Sequence, residues 1–237
     1  YSSEPRVSSP AFQIAPGFAV PFVLCEHPDP VGLNERLRSL FLQREQAGER
    51  YANPQPLVQR NEALWESNFQ LFDWPDRPVA ELRDYCWQQL YRAIGELNGY
   101  TRDELLRLHI GAESWFHITR KGGYFALHNH PMASWSGVYC VAAGDDRSGI
   151  EDSGLLSFVS PMAANTMYID MAIARMGQPY AYGPRNFKLK AGQLVLFPSW
   201  VLHEVRPYFG EGERITVAFN ARFRMVGVEP GKVPIQR

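Results

Sequence analysis

Residues 124–140 read YFALHNHPMASWSGVYC, and the reading of this stretch decides the fold. Tyr124-Phe125-Ala126-Leu127 alternates and is rich in aromatics, as a strand does, and Pro131 is hostile to a helix running through the histidines. In a strand the side chains at i and i+2 leave from one face, so His128 and His130, flanking Asn129, project together. Two neutral imidazoles on one face suit zinc, copper, iron or nickel. A His-x-His pair alone is weak, because most histidines are simply satisfied polar residues. A third donor is offered by His203, reached through a turn glycine (Gly192), the apolar run Leu194 to Phe197 and a turn at Pro198. Arg214 then opens the strand-like run Arg214-Ile215-Thr216-Val217-Ala218-Phe219-Asn220. A histidine pair, a later histidine and an arginine on the next strand, in that order, define a candidate site.

Working outward, the chain changes character near His109. Beyond it, short strands are expected at 114–119, 136–143, 155–159, 187–189, 193–197 and 215–223, with 162–186 as an inserted loop. Before it, Asp29-Pro30 reads as an N-cap and first helical residue, opening a helix that Gly48 ends. The spacing of Val79, Leu82, Cys86, Leu90, Ile94 and Leu97 predicts the clearest helix, ended by Asn98-Gly99. Thr101 with Glu104 forms a capping-box pattern before a further short helix. Residues 18–24 suggest a first strand. Residues 50–75 read as loop, whose Trp65, Phe69, Leu71 and Phe72 cover a barrel end or line an entrance. The fold class is therefore mostly β with flanking helices: a jelly-roll, cupin-like barrel behind N-terminal supporting helices. One domain over 1–237 is expected, with 1–108 as helical support and entrance loops, 109–224 as the jelly-roll core and 225–237 as a tail; residues 1–16 read as a loose arm.

Composition narrows the function classes. A formal charge of −1 gives no argument for nucleic acid or an anionic membrane. The three cysteines, Cys25, Cys86 and Cys140, share no close spacing and read as buried apolar residues of a reducing compartment. No apolar run reaches the roughly 18 residues of a membrane span, and the start lacks signal-peptide character, so a cytoplasmic location is expected.

The chain resembles the Fe(II)/2-oxoglutarate-dependent oxygenases, in particular their bacterial and phage group. The resemblance runs over roughly residues 110 to 224. It is carried by Trp115-Phe116, His128-Asn129-His130-Pro131, Ser136-Gly137-Val138-Tyr139, Phe197-Pro198-Ser199-Trp200, His203 and Arg214-Ile215-Thr216. It implies a double-stranded β-helix with Fe(II) at its mouth, and 2-oxoglutarate and O2 as cosubstrates. It further implies that Arg214, helped by Thr216, grips the distal carboxylate of the keto-acid, a role its planar fork suits. Tyr124 and Tyr139 are candidates to hydrogen-bond a cosubstrate carboxylate, or else core tyrosines. The implied activity is hydroxylation with release of succinate and CO2.

One departure stands out. Most of that superfamily has a carboxylate two residues after the first histidine, where this chain has His130. The metal set is then His128, His130 and His203. Otherwise one of the pair is not a ligand and Glu151 or Asp152 supplies a carboxylate, or a two-histidine site is completed by water or halide. A three-histidine cupin dioxygenase that needs no 2-oxoglutarate is the nearest rival. Gly122 ahead of the histidine pair and Gly192 ahead of His203 match its motifs, but Ala133, Ser134 and Trp135 stand where its glutamate belongs. A metal-free binding barrel is the non-enzymatic alternative. A small molecule is the expected substrate and a protein side chain the second choice, met by the Tyr180–Tyr182 insert and the Asn53–Phe72 loop; a homodimer stays open. His117 is left undecided by alternation, and His27 and His109 read as ordinary polar residues.

Overall fold

The two longest strands, β3 (Leu108–Thr119) and β10 (Arg214–Met225), pair antiparallel along their length, from Arg214 opposite Thr119 to Met225 opposite Leu108. They centre a six-stranded sheet ordered β1-β8-β5-β10-β3-β2, whose other members are β1 (Val23–Glu26), β2 (Leu64–Glu66), β5 (Trp135–Ala142) and β8 (Gln193–Pro198). A four-stranded sheet ordered β4-β9-β6-β7 holds β4 (Phe125–His128), β6 (Leu156–Phe158), β7 (Arg185–Phe187) and β9 (His203–Val205). The structure, a computed structural model, describes residues 14, 16–162 and 168–228.

Period-two alternation sorts the large sheet into two faces. Ile215, Val217, Phe219 and Ala221 of β10 share one core with Phe116 and Ile118 of β3, Tyr139 of β5, and Leu194 and Leu196 of β8. Helices α1 (Pro30–Gln46) and α2 (Arg77–Asn98) cover that face, contributing Leu33, Leu37, Phe41, Val79, Leu82 and Leu90 to the same core. Phe41 stacks on Phe116 with centroids 4.0 Å apart and planes 10° from parallel. On the opposite face Cys140, Val195 and Phe197 pack against Leu156 and Phe158 of the small sheet. Burying apolar area at about 25 cal/mol per Å² is what drives both contacts. Gly137 is required where the sheet meets Phe219, since a Cβ there would stand 2.3 Å from Phe219 Cζ.

The expected architecture holds as two facing sheets; they are not joined into one closed barrel. α2 ends on Gly99 at φ +66, and Thr101 and Glu104 exchange both capping-box bonds at α3 (Arg102–Leu106). Boundaries moved where a partner strand, rather than local pattern, decides pairing. The first strand begins at Val23, opposite Leu196, instead of at residue 18. Residues 50–75 hold β2, a three-residue strand docked on the end of β3. His203 opens β9, a short strand not among those expected. Most of the expected arm at 1–16 and most of the tail at 225–237 lie outside the described residues. All three cysteines are free, with Cys86 and Cys140 buried, and among the described residues no helix is long and apolar enough to cross a membrane.

Candidate active site

The histidine pair is aimed by an irregularity of β4. Phe125 stands opposite Val205 and His128 opposite His203, so β4 spends one residue more than β9 between the two pairings. Such a bulge re-aims side chains. Here Phe125 and His128, three apart, both face the space between the sheets. His130 follows just past the strand, its amide donating to Ser199 O at 2.9 Å, which ties the two halves of the site together.

His128, His130 and His203 converge, with a ligand atom from each within 4.8 Å of the others. Ring centroids lie 4.3 Å apart for His128–His203, 4.9 Å for His128–His130 and 5.2 Å for His130–His203. His128 Nδ1 lies 2.8 Å from Ala126 O and His203 Nδ1 lies 2.9 Å from Val201 O. A carbonyl only accepts, so both Nδ1 atoms carry the proton and both Nε2 lone pairs are left free, as metal-binding histidines require. Burial, with His128 beside them, pushes His130 and His203 down to about 3, and burial lowers His128 as well. All three are neutral near pH 7. Phe158 and Phe197 press on His203, with centroids 5.5 and 4.9 Å away, keeping that side dry.

Arg214, Thr216, Ala218 and Asn220 of β10 line the cleft beside this triad. Arg214 is 5% exposed and has no carboxylate partner among the described residues; burial lowers its pKa. Thr119, paired with it across the strands, has a buried Oγ1 without a hydrogen-bond partner. A buried guanidinium without an anion is costly. The cleft measures about 30 Å³. Above His128 and His130 it meets a wider chamber of about 350 Å³, walled mainly by apolar residues such as Leu57, Phe69, Trp115, Phe125 and Met132.

Several expected participants lie elsewhere. Tyr139 turns to the helix-side core, where its hydroxyl donates to buried Asn34 at 2.8 Å, because β5 alternation that puts Ser136 and Val138 on the cleft puts Tyr139 on the other face. Tyr124 lines neither the cleft nor the chamber, since the bulge lets Phe125 take the inward position. Asp152 is exposed and ion-paired with Arg206, and Glu151 is exposed, so neither carboxylate joins the triad. Tyr180 and Tyr182 also line neither space. His117, left undecided by alternation, has its place given by the structure, and Glu66 is a residue the sequence reading missed. His117 lines the cleft, and Glu66 is buried against it with Oε2 2.8 Å from His117 Nε2. Glu66 sits on a strand too short to show in the sequence pattern.

Residues 113–220 match the family model described as "Putative 2OG-Fe(II) oxygenase", which bears out the resemblance carried by the histidine, Phe-Pro-Ser-Trp and Arg-Ile-Thr stretches. No curated protein gives a significant match. Among solved structures, the chain is similar to a prolyl-4-hydroxylase from Pseudomonas putida at 20% identity and TM-score 0.55, covering 86% of this chain and 92% of that one. It is similar to a Trichoplax adhaerens prolyl hydroxylase in complex with a hypoxia inducible factor peptide fragment, at 14% identity, TM-score 0.55, and 85% and 83% coverage. A third likeness is to HygX from Streptomyces hygroscopicus with nickel and 2-oxoglutarate bound, at 14% identity, TM-score 0.51, and 86% and 83% coverage. At these identities the likeness shows the fold, a double-stranded β-helix.

Proposed function

We propose that the chain is an Fe(II)- and 2-oxoglutarate-dependent oxygenase that hydroxylates a small molecule or, second, a protein side chain. The observation that carries this reading is the pairing, in one cleft, of three neutral histidines with a buried arginine that has no carboxylate partner among the described residues. The donor set fits a borderline metal: three imidazole nitrogens, Nε2 of His128 and His203 being free for it. Arg214 fits a carboxylate, which two parallel charge-assisted bonds would hold. When bound, iron and the keto-acid supply oxidation of a C–H bond coupled to conversion of 2-oxoglutarate and O2 to succinate and CO2. The chain's own part is binding, orientation and exclusion of water. His128, His130 and His203 would hold the metal, Arg214 and Thr216 the far carboxylate, and Phe158 and Phe197 keep the His203 side dry. The chamber's apolar walls suit a substrate with an apolar body.

The three-histidine cupin reading shares the metal set but gives Arg214 nothing to bind. Anaerobic titration of the Fe(II)-loaded protein with 2-oxoglutarate separates the two. The oxygenase reading expects the weak visible charge-transfer band of chelation, and expects His203→Ala to lose most of its iron by elemental analysis. Iron retained without any band at millimolar keto-acid would favour the cupin reading; equal iron in wild type and His203→Ala would remove the metal assignment itself.

A further inference from the structure

Three imidazoles bring no negative charge to the cleft, and Arg214 adds a positive one. A divalent cation there gains nothing from the carboxylate that a two-histidine set includes among its ligands. Glu66 is the buried anion beside this space. It is 3% exposed, on β2, directly opposite His117 of β3. Asn53 Nδ2 donates to its Oε1 at 2.6 Å, and His117 Nε2 lies 2.8 Å from its Oε2. Trp115 Nε1 also points at His117 Nε2, from 3.1 Å. The shorter, charge-assisted contact is the stronger, so the Nε2 proton is assigned to the bond with Glu66. His117 in turn stands 4.8 Å, ring to ring, from Phe125, and Phe125 stands 4.9 Å from His128. Glu66 shares the wall of the outer chamber with His128 and His130.

We propose that Glu66, fixed by His117 and Asn53, is this site's displaced carboxylate: from outside the ligand set it supplies the negative charge that favours a divalent cation on the three histidines. The inference rests on the metal reading above. Burial raises the Glu66 pKa, but the bond and charge interaction with His117, the Asn53 bond and the nearby Arg60 together hold it below the usual carboxylate value. A buried carboxylate held only to join β2 to β3 is the plain structural alternative. The two differ in sign. Charge compensation helps a cation and opposes an anion, whereas a structural clamp helps both or neither.

The test uses Co(II), which is stable in air and visible by its own absorption bands, on the full chain. Glu66→Gln keeps the shape and removes the charge. It should weaken Co(II) binding about tenfold or more, within the range usual for groups just outside a metal's ligands, while the Co(II)-loaded protein binds 2-oxoglutarate at least as tightly as wild type. Glu66→Asp, which keeps the charge, should stay within about threefold of wild type for Co(II), well short of the tenfold step. Asn53→Lys sets an ammonium against the same carboxylate without touching it, and should reproduce the Co(II) loss if Glu66→Gln does not fold. Unchanged Co(II) affinity in Glu66→Gln, or in Asn53→Lys, overturns the inference. So does a parallel loss of Co(II) and 2-oxoglutarate affinity together with thermal stability. Absence of Co(II) binding in the wild type removes the metal reading and this inference with it.

Discussion

On β10, Ile215, Val217, Phe219 and Ala221 point to the helices and are buried among apolar neighbours, while Arg214, Thr216, Ala218 and Asn220 line the cleft. One strand thus carries two programmes at period two. The helix-side residues satisfy one another within the chain. On the cleft side, buried Arg214 has no carboxylate partner among the described residues, which leaves the cost of its burial uncompensated there. The lesson is where to look for effects: substitutions on one face should register as stability, those on the other as binding.

The sharpest way to break that comparison is a crossed experiment. Phe116→Ala removes a ring with no exposure that stacks on Phe41, and should cost about 3–5 kcal/mol of unfolding free energy, measured in urea. Among molecules still folded, 2-oxoglutarate affinity should be unchanged. Arg214→Ala should do the reverse, weakening 2-oxoglutarate by about 2–5 kcal/mol, or one and a half to three and a half decades. Its stability should hold or rise, since an unpartnered buried charge is gone. Lys at 214 should recover part of the affinity, keeping charge without the fork. If both variants lose stability and affinity in proportion, the two faces are not separate.

What was legible in the sequence follows the same division. The helix-side pattern and the helix cap were readable because each depends on spacing within one strand or helix, Val217 and Phe219 two apart and Thr101 and Glu104 three apart; the histidines and Arg214 were readable from their order along the chain, since His130 lies just past β4 and His203 and Arg214 open other strands. Tyr139 was readable only as one of two options, because strand alternation says that neighbours diverge but not which face is the cleft. The bulge in β4 was invisible, since it arises from pairing with β9 and displaced Tyr124 in favour of Phe125. Glu66 was missed for a related reason. Three residues carry no period, and its role depends on His117 across a strand pair 51 positions away.

A further effect should sharpen the contrast through pH. In the folded, metal-free protein His130 and His203 titrate at about 3, against an ordinary 6.5. Between those values the unfolded chain binds more protons, so stability falls as pH drops from about 6.5 towards 3 and is insensitive to these groups above that range. Each contributes at most about 1.4 kcal/mol per pH unit. Carboxylates such as Glu66, whose folded pKa is lowered, add to the loss at the acid end. The contribution of His203 is therefore isolated by difference: urea titrations with chelator should show a shallower pH slope for His203→Gln than for wild type. Equal slopes would mean that His203 is protonated, or hydrated, in the folded state.

The smallest effect concerns Tyr139, which its strand could have sent to either face. Its hydroxyl and Asn34 Oδ1 are both buried and bonded at 2.8 Å, on the helix side. Tyr139→Phe leaves the Asn34 oxygen without that donor, so the loss should exceed the bare worth of a hydrogen bond and reach about 1–3 kcal/mol. Adding Asn34→Leu should recover much of it, because removing both partners removes the unsatisfied atom as well. Neither variant should alter 2-oxoglutarate affinity or the iron content, since the residue faces away from the cleft. Should Tyr139→Phe instead weaken the keto-acid while leaving the urea midpoint where it was, the tyrosine reaches the cleft in the liganded protein. The division of β5 into a structural and a binding face would then fail at its central residue.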